Sequence, residues 1–160
     1  MTPPNDLTID LRRGNSADHA ALIEMARCGS SRFGYAVDLG IPKELAQLLR
    51  LRVSQINKCS YCLNVHNGAA RDVGISQAKI DMLIAWRETE IFSDAERSAL
   101  AYTEALTRMN ESDIDRFQSV HDGLVQHFDE SARLEIMGVV INMNIWTRLK
   151  LAEGATPALS

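Results

Sequence analysis

Apolar residues recur along this chain at intervals of three and four, the period of a helix with one face turned inward. Leu45, Leu48, Leu49 and Ile56 form one such stripe, and Ile80, Leu83 and Ile84 a second. Ala99, Tyr102, Thr103 and Leu106 form a third, and Ile114, Phe117, His121 and Leu124 a fourth. The two-residue alternation of a half-buried strand is absent, and no Asn-Gly or Asp-Gly turn joins alternating runs. The pattern predicts an all-α fold.

Stop and start signals divide it into about seven helices. The first begins near Asn15 or Ser16 and runs to about Cys28. Pro42, suited to a first helical position, opens the second, which extends to Ile56. Asn57 is the expected cap of a third, Lys58 to Val73, stopped by Gly74. Ser76 caps the fourth, and Ser93 with Glu96 makes a capping box for the fifth. Ser112 and Asp115 begin the sixth. The last runs from Asp129 to Glu153, with Leu134, Gly138, Ile141, Ile145 and Leu149 expected on its inner face and Gly154 at its end. No proline falls between Pro42 and Pro157, which leaves these helices uninterrupted.

The 160 residues suit a single domain, 1–160, with frayed tails at 1–11 and 156–160. At 46% hydrophobic and 24% charged the composition is that of a globular protein, so a disordered chain is excluded. The longest apolar run, Ile136 to Ile141, is too short for a membrane span, and no basic, then apolar, leader opens the chain. A cytoplasmic protein with no membrane partner is the expectation. Net charge is −4 with scattered Lys and Arg, which argues against nucleic acid as a partner.

The informative chemistry lies in Cys59, Cys62 and His66. Spaced by three and four residues, they share one helix face. Two thiols at that spacing near a helix start can close a disulfide, and the helix N-terminus favours a thiolate. A histidine one turn beyond Cys62 can take its proton or stabilise its charge. The stripe describes a thiol redox centre. Zinc is the main rival, but a second ligand pair is lacking, with only Cys28, His19, His121 and His127 as loose candidates. Covalent haem would need histidine where Leu63 stands. No metal and no cofactor are therefore expected, and a purely structural Cys-Cys-His stripe stays as an alternative.

The core segment 45–74 resembles the AhpD-like alkylhydroperoxidases of the carboxymuconolactone decarboxylase superfamily, whose motif is Glu-x11-Cys-x2-Cys-x3-His. Ser54 to Cys62 and His66 match it closely, and Phe92 to Thr107 and Ile141 to Leu149 are similar too. The resemblance implies an AhpD-like helical bundle that assembles as a homo-oligomer, a hexamer favoured over a trimer or dimer. It implies that Cys62 attacks a peroxide substrate, that Cys59 resolves the sulfenic acid as a disulfide, and that His66 serves a proton relay. A dithiol reductant or reductase adaptor would then reduce the pair, by attack at Cys59.

Gln47 stands where that motif has its glutamate. Glutamine keeps the size and hydrogen bonding but accepts no proton, so turnover is expected to be slow unless Glu44, one turn earlier, supplies the base. Two other functions follow from the same residues: a non-enzymatic redox sensor or assembly module, and a carboxymuconolactone decarboxylase-like enzyme. The cysteine pair, not needed for decarboxylation, favours redox chemistry.

The remaining conspicuous residues read as structural. Cys28 is expected to be a small buried or half-buried hydrophobe, His19 and His127 surface residues, and His121 a satisfied core histidine. Trp86 and Trp146 read as packing anchors, Glu104 as a surface charge, and Tyr61 as packing or a wall of the cleft. For Asn142, Asn144 and Arg148 the family resemblance alone implies a polar network near a subunit contact.

Overall fold

The computed structural model describes residues 20–109 and 114–157. Among them, seven α-helices follow in order: α1 Ala20–Phe33, α2 Lys43–Ile56, α3 Ser60–Asp72, α4 Gln77–Met82, α5 Asp94–Thr107, α6 Ile114–Val125 and α7 Glu130–Glu153. A 3₁₀ segment, Leu83–Glu88, links α4 to α5. No strand occurs among the described residues, so the fold is all-α. The expected start of α1 at Asn15 or Ser16, the Ser112 cap, His19 and the tails 1–11 and 158–160 lie outside the described residues. None of the described helices is long and apolar enough to cross a membrane.

Several ends are made by the residues that signal them. Ser93 accepts from the Glu96 amide while Glu96 returns a bond to the Ser93 amide, a complete capping box. Asp129 caps α7 through the Ala132 amide, and Ser76 caps α4 through that of Lys79. Gly154 ends α7 in the left-handed region at φ 69°, where a side chain would be strained. Helix α1 continues past Cys28 to Phe33.

Helix α2 is the axis of the fold. Every residue from Leu45 to Ser54 is buried, because α3, α5 and α7 all pack on it. That run carries Gln47, Arg50 and Arg52 into the interior, and each needs a partner there.

Arg52 finds one in Glu104 of α5. Glu104 is 2% exposed, contrary to the expected surface charge. It accepts from Arg52 Nε and Nη2 at 2.9 and 2.7 Å, from Trp86 Nε1 at 2.8 Å, and from Arg87. Burial pushes its pKa up, but those bonds and the charge of Arg52 outweigh it and hold the carboxyl below its usual value. The carboxylate ties α2, α5 and the 3₁₀ segment together.

Helix α7 turns only part of the expected face inward, Gly138 and Leu149 but not Leu134 or Ile141. Ile136, Val139, Val140, Met143 and Thr147 are buried with Leu149, whereas Leu134 and Ile141 are 53% and 44% exposed. This helix has apolar residues on several sides, so periodicity alone does not choose among them. Close approach of α1 helps decide it: a Cβ on Gly138 would stand 2.4 Å from the Phe33 ring. Glu135, on the same helix, accepts from the amides of Gly40 and Ile41 at 2.9 and 2.8 Å and holds the 34–42 loop against the bundle.

Candidate active site

The corner between α2 and α3 sets the cysteine pair. Asn57 caps the C-terminus of α2, not the N-terminus of α3, and its side chain donates to Asn144 Oδ1 and Thr147 Oγ1 on α7. Those long-range acceptors take it away from the neighbouring helix. Lys58 then turns the chain at φ 55°, and Cys59 becomes the N-cap of α3. Its sulfur accepts from the Cys62 amide at 3.3 Å. A helix N-cap favours negative charge on that sulfur once the pair is reduced. The two cysteines are joined as a disulfide, with Cα atoms 5.3 Å apart.

The two sulfurs have unequal surroundings. Both residues are buried, at 1% and 3% exposure, but Cys62 lines a cleft and Cys59 does not. The cleft has a volume of about 480 Å³ and is walled by α1, α2, α3, α7 and the 34–42 loop. Cys62, Val65 and His66 come from α3, Arg50 from α2, and Met143, Trp146 and Lys150 from α7. Tyr35 meets the His66 ring edge-on with centroids 5.9 Å apart.

Gln47 reaches His66, as the motif position requires. Its Oε1 stands 3.2 Å from His66 Nδ1, both side chains being buried. With that oxygen accepting from Nδ1–H, Nε2 is left as the acceptor of the ring. Burial, and then the positive charge of Arg50, push the His66 pKa down to about 4. The imidazole is therefore neutral at pH 7. Glu44 is exposed and does not line the cleft, so it offers no base to this site.

Arg50 was not singled out by any motif, and its only signal is a charge within a run of buried positions one turn beyond Gln47. It is 4% exposed, and burial lowers its pKa to about 10. Its Nη2 donates to Phe33 O at 2.7 Å.

The other candidates are placed as follows. Trp146 donates to Ser30 Oγ at 2.6 Å, Ser30 to Asn142 Oδ1, and Asn142 to Ala26 O, a chain that fastens α1 to α7 along the wall of the cleft. Asn144 accepts from Asn57 and Arg148, and donates to Thr107. Tyr61 walls the cleft beneath the Lys150 ammonium, and Trp86 is in the core. Cys28 is an exposed free thiol, not a buried hydrophobe, because α1 is covered on one side only. His121 is half-exposed and its buried Nδ1 makes no hydrogen bond, so it is not a satisfied core residue; His127 is exposed. Among the described residues, no group of His, Cys, Asp and Glu is arranged to hold a metal.

What the arrangement can do is limited by what it holds. It offers a cysteine pair joined as a disulfide, a neutral imidazole, a cation and an apolar wall. Those parts suit two-electron thiol–disulfide chemistry.

The sequence model of the carboxymuconolactone decarboxylase family matches residues 26–105. The chain is 28% identical over 120 residues to YdfG of Bacillus subtilis, 75% of this chain and 80% of that protein. It is 28% identical over 105 residues to YnjA of Escherichia coli, 66% of this chain and 56% of that protein. Among solved structures, ATU0492 of Agrobacterium tumefaciens, for which an AhpD antioxidant-defence role has been suggested, superposes with a TM-score of 0.82 at 22% identity. That match covers 92% of this chain and 99% of the other. The debrominase Bmp8 superposes with a TM-score of 0.70 at 20% identity, over 91% and 74% of the two chains. These structural likenesses are of fold.

Proposed function

The chain belongs to the carboxymuconolactone decarboxylase family, and from that premise and the geometry of the cleft we propose that it is a thiol-dependent reductase of organic hydroperoxides. One observation carries the reading: of the two joined cysteines, Cys62 lines the cleft together with His66, while Cys59 does not line it and serves as a helix cap.

In the proposed cycle the ionised Cys62 sulfur attacks a peroxide oxygen. An S–O bond forms, the O–O bond breaks, and the departing alkoxide takes the proton that His66 accepted from the thiol. Cys59 then attacks the sulfenic sulfur, forming the disulfide and releasing water. An external dithiol restores the pair with two electrons and two protons. Its point of entry is Cys62, reached through the cleft; Cys59, stabilised as a thiolate by the helix end, is the leaving group. This reverses the assignment that the motif alone suggests.

The neutral His66 makes the cycle slow. An imidazole that burial and the charge of Arg50 hold well below its usual pKa is a weak acceptor for the Cys62 proton. The same pairing of His66 with an amide favours a second reading, a redox sensor oxidised once per signal. Cumene hydroperoxide with dihydrolipoamide as reductant separates the two. Many turnovers per chain, lost in Cys62→Ser, support the reductase; consumption of a single equivalent supports the sensor.

A further inference from the structure

Two arginines are buried on α2, and their surroundings differ. Arg52 is neutralised by Glu104 and also donates to Gln55. Arg50, at 4% exposure, has no carboxylate within ion-pair distance among the described residues. Among the described residues it makes one hydrogen bond, to the Phe33 carbonyl, and the rest of its planar fork of N–H donors finds no acceptor there. Buried charges are ordinarily paired, because an isolated one is expensive to desolvate.

The cleft that Arg50 lines supplies no counter-charge either. Among the described residues no Asp or Glu borders it; its charged residues are Arg27, Arg50 and Lys150, and of these only Lys150 is paired there, with Glu153. Tyr61, Val65, Met143 and Trp146 give the remainder an apolar and aromatic surface. A guanidinium fork matches a carboxylate geometrically, and burial strengthens the attraction.

We infer that the cleft takes an organic anion, a hydroperoxide bearing a carboxylate on a compact apolar or aromatic body, with the carboxylate seated on Arg50 and the body against Tyr61, Met143 and Trp146. The hydroperoxide half of this statement rests on the function proposed above; the anion site stands on Arg50 alone. In the reduced protein a Cys62 thiolate is a rival counter-ion for Arg50, so binding is to be measured on the disulfide form, which has none.

Calorimetric titration of that form with 4-isopropylbenzoate and with the neutral 4-isopropylbenzamide reads the anion site without turnover. The benzoate is expected to bind at least about tenfold tighter, and the difference to fall below about threefold in Arg50→Gln. Equal affinities for the unmutated protein overturn the inference, whether or not Arg50→Gln folds. In turnover, the carboxylate-bearing analogue of cumene hydroperoxide is expected to have a kcat/KM at least about tenfold above that of cumene hydroperoxide. Preferential benzoate binding with neither peroxide reduced overturns the reductase reading and upholds the anion site. Both peroxides reduced equally, with no preference for benzoate, overturns the anion site and upholds the reductase.

Discussion

Gln47 Oε1 lies 3.2 Å from His66 Nδ1, and the contact orients the imidazole without lending it charge. A carboxylate at the same position would stabilise the imidazolium and raise its pKa toward the range where it accepts a proton. Gln47→Glu is therefore expected to raise hydroperoxide turnover at least about tenfold near neutral pH, since positioned base assistance is worth ~10²–10⁴-fold and a new carboxylate is imperfectly supported. The pH profile of kcat/KM should show a new titrating group. Glu44→Gln, at an exposed site outside the cleft, should change neither. A folded Gln47→Glu protein no faster than the parent would remove His66 from the proton path.

His66 also makes stability depend on pH. Its folded pKa of about 4 lies below the unfolded value of 6.5, so between them the unfolded chain binds a proton that the folded one does not. Stability should fall as pH drops from about 6.5 to about 4, by up to about 3 kcal/mol from this residue, and be insensitive to it above pH 7. Urea unfolding at a series of pH values should show this loss, and His66→Gln should flatten it. An unchanged slope in the variant would mean that His66 titrates normally.

Removing the charge of Glu104 leaves Arg52 buried and unneutralised. Glu104→Gln is expected to cost about 3 kcal/mol or more, the range for breaking a buried pair. Asp38→Asn, which loses only an exposed, solvent-screened pair with Lys43, should leave stability nearly unchanged. Chemical denaturation of the two variants checks the contrast, and equal losses would contradict it.

Access to the pair can be read with a disulfide reagent. In the reduced protein, Cys59→Ser should keep a cleft thiol that reacts readily with 5,5′-dithiobis(2-nitrobenzoate). Cys62→Ser should leave only a slow one beyond the exposed Cys28. Faster reaction in Cys62→Ser would restore Cys59 as the point of reductant attack.

Much of this was legible from local spacing. The Ser93–Glu96 box and the glycine at the end of α7 depend on residues within a turn of one another, and both are found, whereas Cys59 stands one position before α3 as its cap and only Cys62 and His66 share the cleft face. Gln47 beside His66 was readable only because a family motif links positions on two helices. Glu104 was misread because its partners Arg52, Trp86 and Arg87 come from other elements, while its own helix shows it only Leu100 and Thr107. Asn57 was misread for the same reason, its acceptors lying on α7. Arg50 carries no motif, and its lack of a counter-ion is visible only once the cleft is closed around it.

The direct test of Cys62 as the attacking sulfur is to treat reduced Cys59→Ser protein with one equivalent of cumene hydroperoxide in the presence of dimedone and to map the adduct by mass spectrometry. Removing Cys59 blocks disulfide closure, so the sulfenic acid should persist and the adduct should fall on Cys62, with Cys28 unmodified. Cys62→Ser protein should give no adduct on Cys59. An adduct on Cys59 in that variant, or none on Cys62 in the first, would contradict the assignment.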